Sequence, residues 1–559
     1  MSEKLTAKEY AEKLLYTPEY AADKQADVKE KAAAFAEGYK KFMDSAKTER
    51  EAAVVSEQML LTAGYKAFEP KKAYAPGEKV YFIQENKAVV AATIGQKPYE
   101  EGFRLVIAHI DCPRLDLRPN PLYESDHMSY FRTHYYGGIR KYQWATIPLA
   151  IHGVFTRADG SSVNFAIGED ENDPVFCITD LLPHLGAEQN ERKLSEGIKG
   201  EELNVLIGSD TVEEEDVKEA VKLNTLILLN QKYGITERDF TRAEIEVVPA
   251  AKARDVGFDR SMIGAYGHDD RVDAYPALMA EIGTKSPAYT SVCVLTDKEE
   301  TGSDGVTGLN SMYTFHFLQQ LCAGQGADYI TACKAAKCLS ADVTAAYDPT
   351  FADAFEPDNG TYAGRGVAIY KYTGSRGKSG TSDASAELVS YLTGLMDANS
   401  VVWQIGEMGK LDLGGGGTVA KYVANQDIDS LESLSSLTKL TSLDLSGSRF
   451  SPGDLTVIAG LPALTELSMV ECGLSTIEKL SGAKSLTYLN LGENTIRNLD
   501  VLSSMTTLTE LNLQHNAVTS LDALDGLSNL QTLDVSYNAL TTLAPVSSCA
   551  RLTTLVADN

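Results

Sequence analysis

The sequence predicts an α/β chain in two parts: a layered domain built on a largely parallel sheet, then an array of short, repeated strands. Three observations carry that reading. Up to about residue 426, helical patterns alternate with short apolar runs such as FRLVIAHI (103–110) and SVCVLT (291–296). From Leu440 onward, a leucine motif recurs at a spacing of 24 residues once and then 22 each time. The length, 559 residues, exceeds what a single core usually supports, so two or three domains are expected.

The opening segment, MSEKLTAKEYAEKLLYTPEY, is polar and helix-patterned, without the apolar stretch of a secretory signal. No apolar run in the sequence approaches a membrane span, and a cytoplasmic chain is expected. Asp and Glu total 78 against 51 Lys and Arg, a formal net charge of −27. That balance argues against nucleic acid or an anionic membrane as partner. The eight cysteines are scattered with no C-x-x-C pair, so they read as small buried hydrophobes. Any metal must then sit on histidine and carboxylate.

In sheets of this class the chemistry gathers at the carboxyl ends of strands, and four stretches deserve inspection there. FRLVIAHIDCPRLDLRP places His109 and Asp111 two residues apart, on one face of an extended strand, where the carboxylate can hold the second imidazole nitrogen. SMIGAYGHDDRVDAYPALMAEIG is a Gly-rich loop delivering Asp269 and Asp270 to the start of a helix. SVCVLTDKEETGSDG runs from an apolar strand into two adjacent glutamates, Glu299 and Glu300, which serve different roles if the turn re-aims one of them. AAKCLSADVTAAYDP ends a strand with Asp342. Each has an ordinary reading when taken alone: a core histidine, a helix cap, a solvated turn, a turn former. Together, in chain order, they supply the ligand types that suit paired zinc ions bridged by a carboxylate. Such a centre needs one carboxylate on the metal beside one that is free. Glu300 then reads as the ligand and Glu299 as the general base.

The C-terminal segment repeats L-x-x-L-x-L-x-x-N: LTSLDLSGS, LTELSMVEC, LTYLNLGEN, LTELNLQHN and LQTLDVSYN, beginning at residues 440, 464, 486, 508 and 530. This is a leucine-rich repeat array, in which short strands bury alternate leucines and the turn asparagine bonds neighbouring backbone. Extending the frame backward aligns Leu437, Leu434, Leu431 and Ile428 with Met505, Leu502, Leu499 and Ile496, so the array starts near Gln426. A further copy begins at LTTLVADN and stops without a polar cap, which reads as a truncated array. Its period resembles the internalin-type repeats of bacteria, and a protein ligand on the repeats is expected.

With those motifs in place, residues 1–426 resemble the aspartyl aminopeptidase and aminopeptidase I family of dinuclear zinc metallopeptidases, in its bacterial branch. Besides the site motifs, THYYGGIRKYQW (133–144), TDLLPHL (179–185), KYTGSRGKSGTSDASAE (371–387) and WQIGEMGKLDLGGGGT (403–418) carry the resemblance. It implies a three-layer catalytic domain over 1–116 and 241–426, an inserted, mostly β dimerisation domain over 117–240, and leucine-rich repeats over 427–559. It implies two Zn²⁺ per subunit, with His109 and Asp342 on one ion, Asp270 as the bridge and Glu300 on the other. Glu299 becomes the general base and Asp111 the residue that orients His109. His184 matches a histidine that reaches a neighbouring subunit's site, and Lys371 a lysine that contacts substrate. Peptide substrates and a homo-oligomer, a tetrahedral dodecamer, are further expectations.

One departure stands out. The family's fifth ligand is a histidine in a Ser-Met-His strand after the Gly-rich helix, whereas here the helix TVAKYVANQ runs directly into repeats. The nearest histidine in that direction, His515 in LNLQHN, is a poor substitute, leaving His184 and His268 as candidates to fill the gap. Two readings follow: a zinc aminopeptidase with a repeat appendage, impaired by the lost ligand, or an inactive peptidase-like protein presenting a leucine-rich binding surface.

Overall fold

The computed structural model describes residues 6–24, 27–157, 159–213, 217–372, 383–410, 413–414, 435, 438–446, 455–470 and 472–558. The expected junction at Gln426 and the helix read over TVAKYVANQ lie outside the described residues. The chain divides into two compact units, Met1–Lys421 and Tyr422–Asn559. No helix among the described residues is long and apolar enough to cross a membrane.

In the first unit, α1 (Val28–Ser45) and α2 (Glu49–Thr62) precede the sheet. Thr48 starts α2 with a capping box: its hydroxyl accepts from Glu51 N–H while the Glu51 carboxylate accepts from Thr48 N–H. The strands that follow are β1 (Lys66–Ala67), β2 (Lys79–Gln84), β3 (Ala88–Thr93), β4 (Arg104–His109), β5 (Arg114–Ser125), β6 (Met128–Tyr136) and β7 (Leu149–Thr156). After them come β8 (Ser162–Ile167), β9 (Cys177–Ile178), β10 (Val205–Gly208), α3 (Ala220–Tyr233), β11 (Ala243–Pro249), α4 (His268–Gly283), β12 (Ser291–Thr296) and β13 (Lys337–Ser340).

These strands form two sheets. The first runs β1-β2-β3-β12-β4-β13, with β12 and β13 both parallel to β4. Thr296 pairs with His109, and Ser340 with Ile107. The three strands therefore end side by side, at one edge of the sheet. All six residues of β3 are buried, as a strand covered on both faces requires. The second sheet, β8-β7-β11-β5-β6-β10-β9, is antiparallel throughout. Its core is aromatic and aliphatic, with Phe131, Phe155, Phe240, Ile245 and Val247 buried together.

In the second unit, strands Ser442–Asp444, Glu466–Ser468, Tyr488–Asn490, Glu510–Asn512, Thr532–Asp534 and Thr554–Val556 pair in parallel and in order. Leu467, Leu489, Leu511 and Leu533 stand in register and are buried. The turn asparagines tie repeat to repeat: Asn494 Oδ1 accepts from the N–H groups of Cys472 and Leu474, Asn516 from Ile496, and Asn538 from Val518.

Candidate metal centre

The site is assembled where β4, β12 and β13 end. β4 stops at His109, so Asp111 belongs to the loop that follows rather than to the strand. His109 is 1% exposed, and its Nδ1 lies 3.0 Å from the Asp111 carbonyl oxygen and 3.3 Å from Asp111 Oδ1. These acceptors orient the ring and turn Nε2 toward the carboxylates of Asp269, Glu299 and Asp342. After β12, Lys298 takes a left-handed conformation (φ +72°) and a tight 3-10 turn begins at Glu299. That turn re-aims the second glutamate. Both backbone N–H groups of the pair donate to Asp111, Glu299 to Oδ1 and Glu300 to Oδ2, each at 3.2 Å.

α4 delivers the aspartates through a glycine turn. Gly267 has φ +88°, and a Cβ there would stand 2.2 Å from Arg271 Nη1. Arg271 is fully buried, donating to Cys112 Sγ at 2.8 Å and to the Ile110 carbonyl at 3.0 Å. The Cys112 thiol donates onward to the Asp269 carbonyl at 2.6 Å. This chain of contacts fixes the start of α4 against the end of β4. The two aspartates diverge from there. Asp270 is fully buried and its Oδ2 accepts the backbone N–H of His109 at 3.3 Å. Asp269 is half exposed and puts Oδ1 3.2 Å from His109 Nε2.

His109 Nε2 is thus ringed by acceptors: Asp269 Oδ1 at 3.2 Å, Asp342 Oδ1 at 3.8 Å and Glu299 Oε2 at 3.9 Å. Yet it makes no hydrogen bond among the described residues. Glu300 Oε1 and Asp270 Oδ1 are likewise buried without a partner. A native interior rarely leaves such atoms unmade. Two sets of ligand atoms fall within 4.8 Å of one another: His109, Asp269 and Glu300, and His109, Glu299 and Asp342. One imidazole among carboxylates is a donor set that suits zinc.

The electrostatics agree. Burial alone would depress His109, but the neighbouring carboxylates of Asp111, Asp269 and Asp342 outweigh it and raise the imidazole well above its ordinary range. Burial, reinforced by neighbouring carboxylates, raises Glu299 to about 7 and Glu300 to about 8. Burial also raises Asp270 far above an ordinary aspartate. Asp111 is the exception: burial works against its charge, yet His109 and Tyr136 hold it below the usual value. Crowded carboxylates that cannot all ionise by themselves are what a bound cation relieves.

Of the residues expected from the sequence, His109, Asp111, Glu299, Glu300 and Asp342 converge here. Asp270 does not face His109 Nε2, the position expected of a bridge; Asp269 does, and the two differ because the chain leaves helical geometry at both residues (ψ +103° and +34°). Neighbours in sequence cannot share one direction there. His184 sits in an exposed turn and Lys371 in an exposed bend, and no hydrogen bond or ion pair joins either to the cluster among the described residues. His268 is committed elsewhere, Nδ1 to the Tyr39 hydroxyl at 2.7 Å and Nε2 to the Ile263 carbonyl at 3.0 Å. His515 stacks on Tyr537 within its own repeats, with centroids 4.2 Å apart. Sequence reading passed over Tyr136, whose hydroxyl donates to Asp111 Oδ2 at 2.7 Å. Its only signal was its place in THYYGGIRKYQW.

Comparison with known proteins agrees with this geometry. Residues 42–433 match the aminopeptidase I zinc metalloprotease (M18) family, and residues 506–548 match leucine-rich repeats. A probable M18 family aminopeptidase 1 of Clostridium acetobutylicum is 44% identical over 409 residues, covering 71% of this chain and 88% of the relative. The crystal structure of the Thermotoga maritima M18 aminopeptidase superposes with a TM-score of 0.69 at 42% identity, over 73% of this chain and 91% of that one. The structure of aminopeptidase I from Clostridium acetobutylicum gives 0.69 at 43% identity, over 74% and 91%. The reading as an inactive, peptidase-like binding module is not favoured by these matches. The convergence of histidine and carboxylates at the strand ends and the extent of the likeness lead to one conclusion: the chain belongs to the aminopeptidase I zinc metalloprotease (M18) family, and is a zinc aminopeptidase carrying leucine-rich repeats.

Proposed function

We propose that the chain removes N-terminal residues from peptides at a zinc centre held by His109, Asp269, Asp342 and Glu300, with Glu299 as general base. The observation that carries the residue roles is His109 Nε2, buried, without a hydrogen bond, and faced by three carboxylates within 3.9 Å. The bridging role, expected of Asp270, goes here to Asp269, supported by its 3.2 Å approach to that nitrogen. Bound zinc supplies a Lewis acid that polarises the scissile carbonyl and acidifies the attacking water. Glu299 takes the proton of that water on a side-chain oxygen and returns it to the leaving amine. Asp111 keeps the His109 ring and the glutamate turn in place throughout.

One zinc would be held by three protein ligands, His109, Asp269 and Asp342, and a second by Asp269 and Glu300. Two such sites differ in affinity, since catalytic zinc normally keeps three protein ligands. The same proposal includes the domain limits 1–116 with 241–426, 117–240 and 427–559, with the insert's sheet reaching past both of its limits, to Arg114 in β5 and Pro249 in β11. It makes the segment 117–240 an oligomer-building insert, supported by exposed Leu181, Leu182, Leu185, Leu223 and Leu228. The family likeness extends that to a dodecamer, in which His184 and Lys371 would reach substrate. The repeats would present a surface to a protein ligand. A cytoplasmic location suits the buried thiols of Cys112, Cys293 and Cys322.

The deciding experiment pairs two variants with metal analysis. Glu299→Gln should keep its zinc while turnover of aminoacyl anilides falls by about 10²- to 10⁴-fold. Asp269→Asn should lose zinc and turnover together. Zinc lost from Glu299→Gln, or retained by Asp269→Asn, would reverse those roles.

A further inference from the structure

We propose that Tyr136 is a positioning residue of this centre, holding the Asp111 carboxylate so that a single side chain sets both the His109 imidazole and the turn carrying Glu299 and Glu300. The inference rests on the zinc centre described above. Asp111 is fully buried and takes donors on both oxygens. Oδ1 accepts Glu299 N–H at 3.2 Å and lies 3.3 Å from His109 Nδ1. Oδ2 accepts Glu300 N–H at 3.2 Å and the Tyr136 hydroxyl at 2.7 Å. The phenol makes the shortest of these contacts. Hydrogen bonds to an ionised acceptor are roughly twice as strong as neutral ones, so it contributes much of the carboxylate's orientation.

The support for the phenol comes from a different part of the fold. Tyr136 is the last residue of β6, in the antiparallel sheet, whereas Asp111 and the glutamates follow β4 and β12 of the other sheet. Its ring is held by two cations, the Arg114 guanidinium 3.9 Å and the Lys298 ammonium 4.9 Å from the centroid. Arg114 is also its backbone partner across β5 and β6. The next residue closes the contact. Gly137 has φ +70°, and a Cβ there would stand 2.9 Å from Glu300 Oε2 and 3.1 Å from Glu300 Cβ. The end of β6 therefore touches the centre twice, through the Tyr136 hydroxyl and through a glycine that leaves Glu300 its place. The THYYGGIRKYQW stretch has a function in this arrangement: it couples the antiparallel sheet to the metal ligands.

The test uses the full chain. Tyr136→Phe removes one O–H and keeps the ring between its cations; Tyr135→Phe, at an exposed neighbour, is the control. Zinc affinity is read by competition with a chromophoric chelator, together with kcat and KM on aminoacyl anilides and thermal unfolding of the chelator-treated protein. Tyr136→Phe should bind zinc about 10- to 100-fold more weakly, with kcat lowered, KM little changed and the metal-free unfolding temperature near that of the parent. Tyr135→Phe should behave as the parent. A Tyr136→Phe chain with parental zinc affinity and kcat overturns the positioning role and leaves the centre intact. A Tyr136→Phe chain that unfolds far earlier without metal, with zinc affinity reduced no more than in a Tyr136→Leu variant of equal instability and no shift in kcat, shows a purely structural role and overturns it too. An unmodified chain that takes up no zinc overturns the centre itself, and the inference with it.

Discussion

Glu299 and Glu300 are consecutive, yet the left-handed Lys298 and the tight turn after it send their side chains to different places around one imidazole. Their protons follow from that crowding. Burial raises them to about 7 and about 8, from an ordinary 4.5. A carboxyl whose folded pKa lies above its unfolded value contributes stability that is complete below about 4.5 and is lost as pH rises through the folded value. Metal-free protein should therefore lose stability between about pH 5 and pH 9, read as a falling unfolding temperature after chelator treatment. Zinc should reverse the trend, because it competes with those protons. Calorimetry at pH 7 in buffers of different ionisation enthalpy should show about one proton or more released per zinc bound, and affinity that rises with pH. Uptake without proton release would mean that neither glutamate is a neighbour of the metal.

At the scale of elements, the two units use different devices for the same problem, the satisfaction of buried polar groups. In the peptidase unit the ends of three parallel strands are held by side chains, with Arg271, Cys112 and Asp111 tying loops together. In three of the repeats a turn asparagine, Asn494, Asn516 or Asn538, does this work. Asn494, 7% exposed, accepts from Cys472 and Leu474 N–H and donates to the carbonyls of Met469, Leu491 and Gly492. Asn494→Ala would leave several buried backbone groups unmade, at about 1–3 kcal/mol each. The expected outcome is a repeat unit destabilised by about 2 kcal/mol or more in denaturant titration, with zinc binding and peptide hydrolysis unchanged. Coupled loss of activity would show that the units depend on each other.

At the scale of the molecule, the peptidase unit and the repeats have separate cores. Repeat units contact their neighbours in the array, so a chain ended after Asn425 should keep its zinc affinity through His109, Asp269 and Asp342. Titration should find about one tight zinc per chain in both forms, and a weaker second. Appending the family's Ser-Met-His segment and its flanking strands after Asn425 should raise both the zinc count and turnover. Two tight zincs in the unmodified chain would require a third ligand for the second ion other than His268, whose nitrogens are both engaged.

Sequence alone determined the α/β class, the repeat array and the chemistry, because these rest on local pattern: a leucine motif recurring after 24 and then 22 residues, apolar runs ending in His109, Glu299, Glu300 and Asp342, and long collinear motifs. Periodicity and motif order survive without knowledge of direction. What they do not contain is where a side chain points once the chain turns. Asp269 and Asp270 are equivalent in sequence, and only the non-helical backbone at the start of α4 sends one to His109 Nε2 and the other under the His109 backbone. Tyr136 is one aromatic among 27 tyrosines until β6 brings its hydroxyl to Asp111 from the other sheet. Contacts between residues remote in sequence are set by the pairing of strands and the approach of two sheets, and tertiary structure alone decided them.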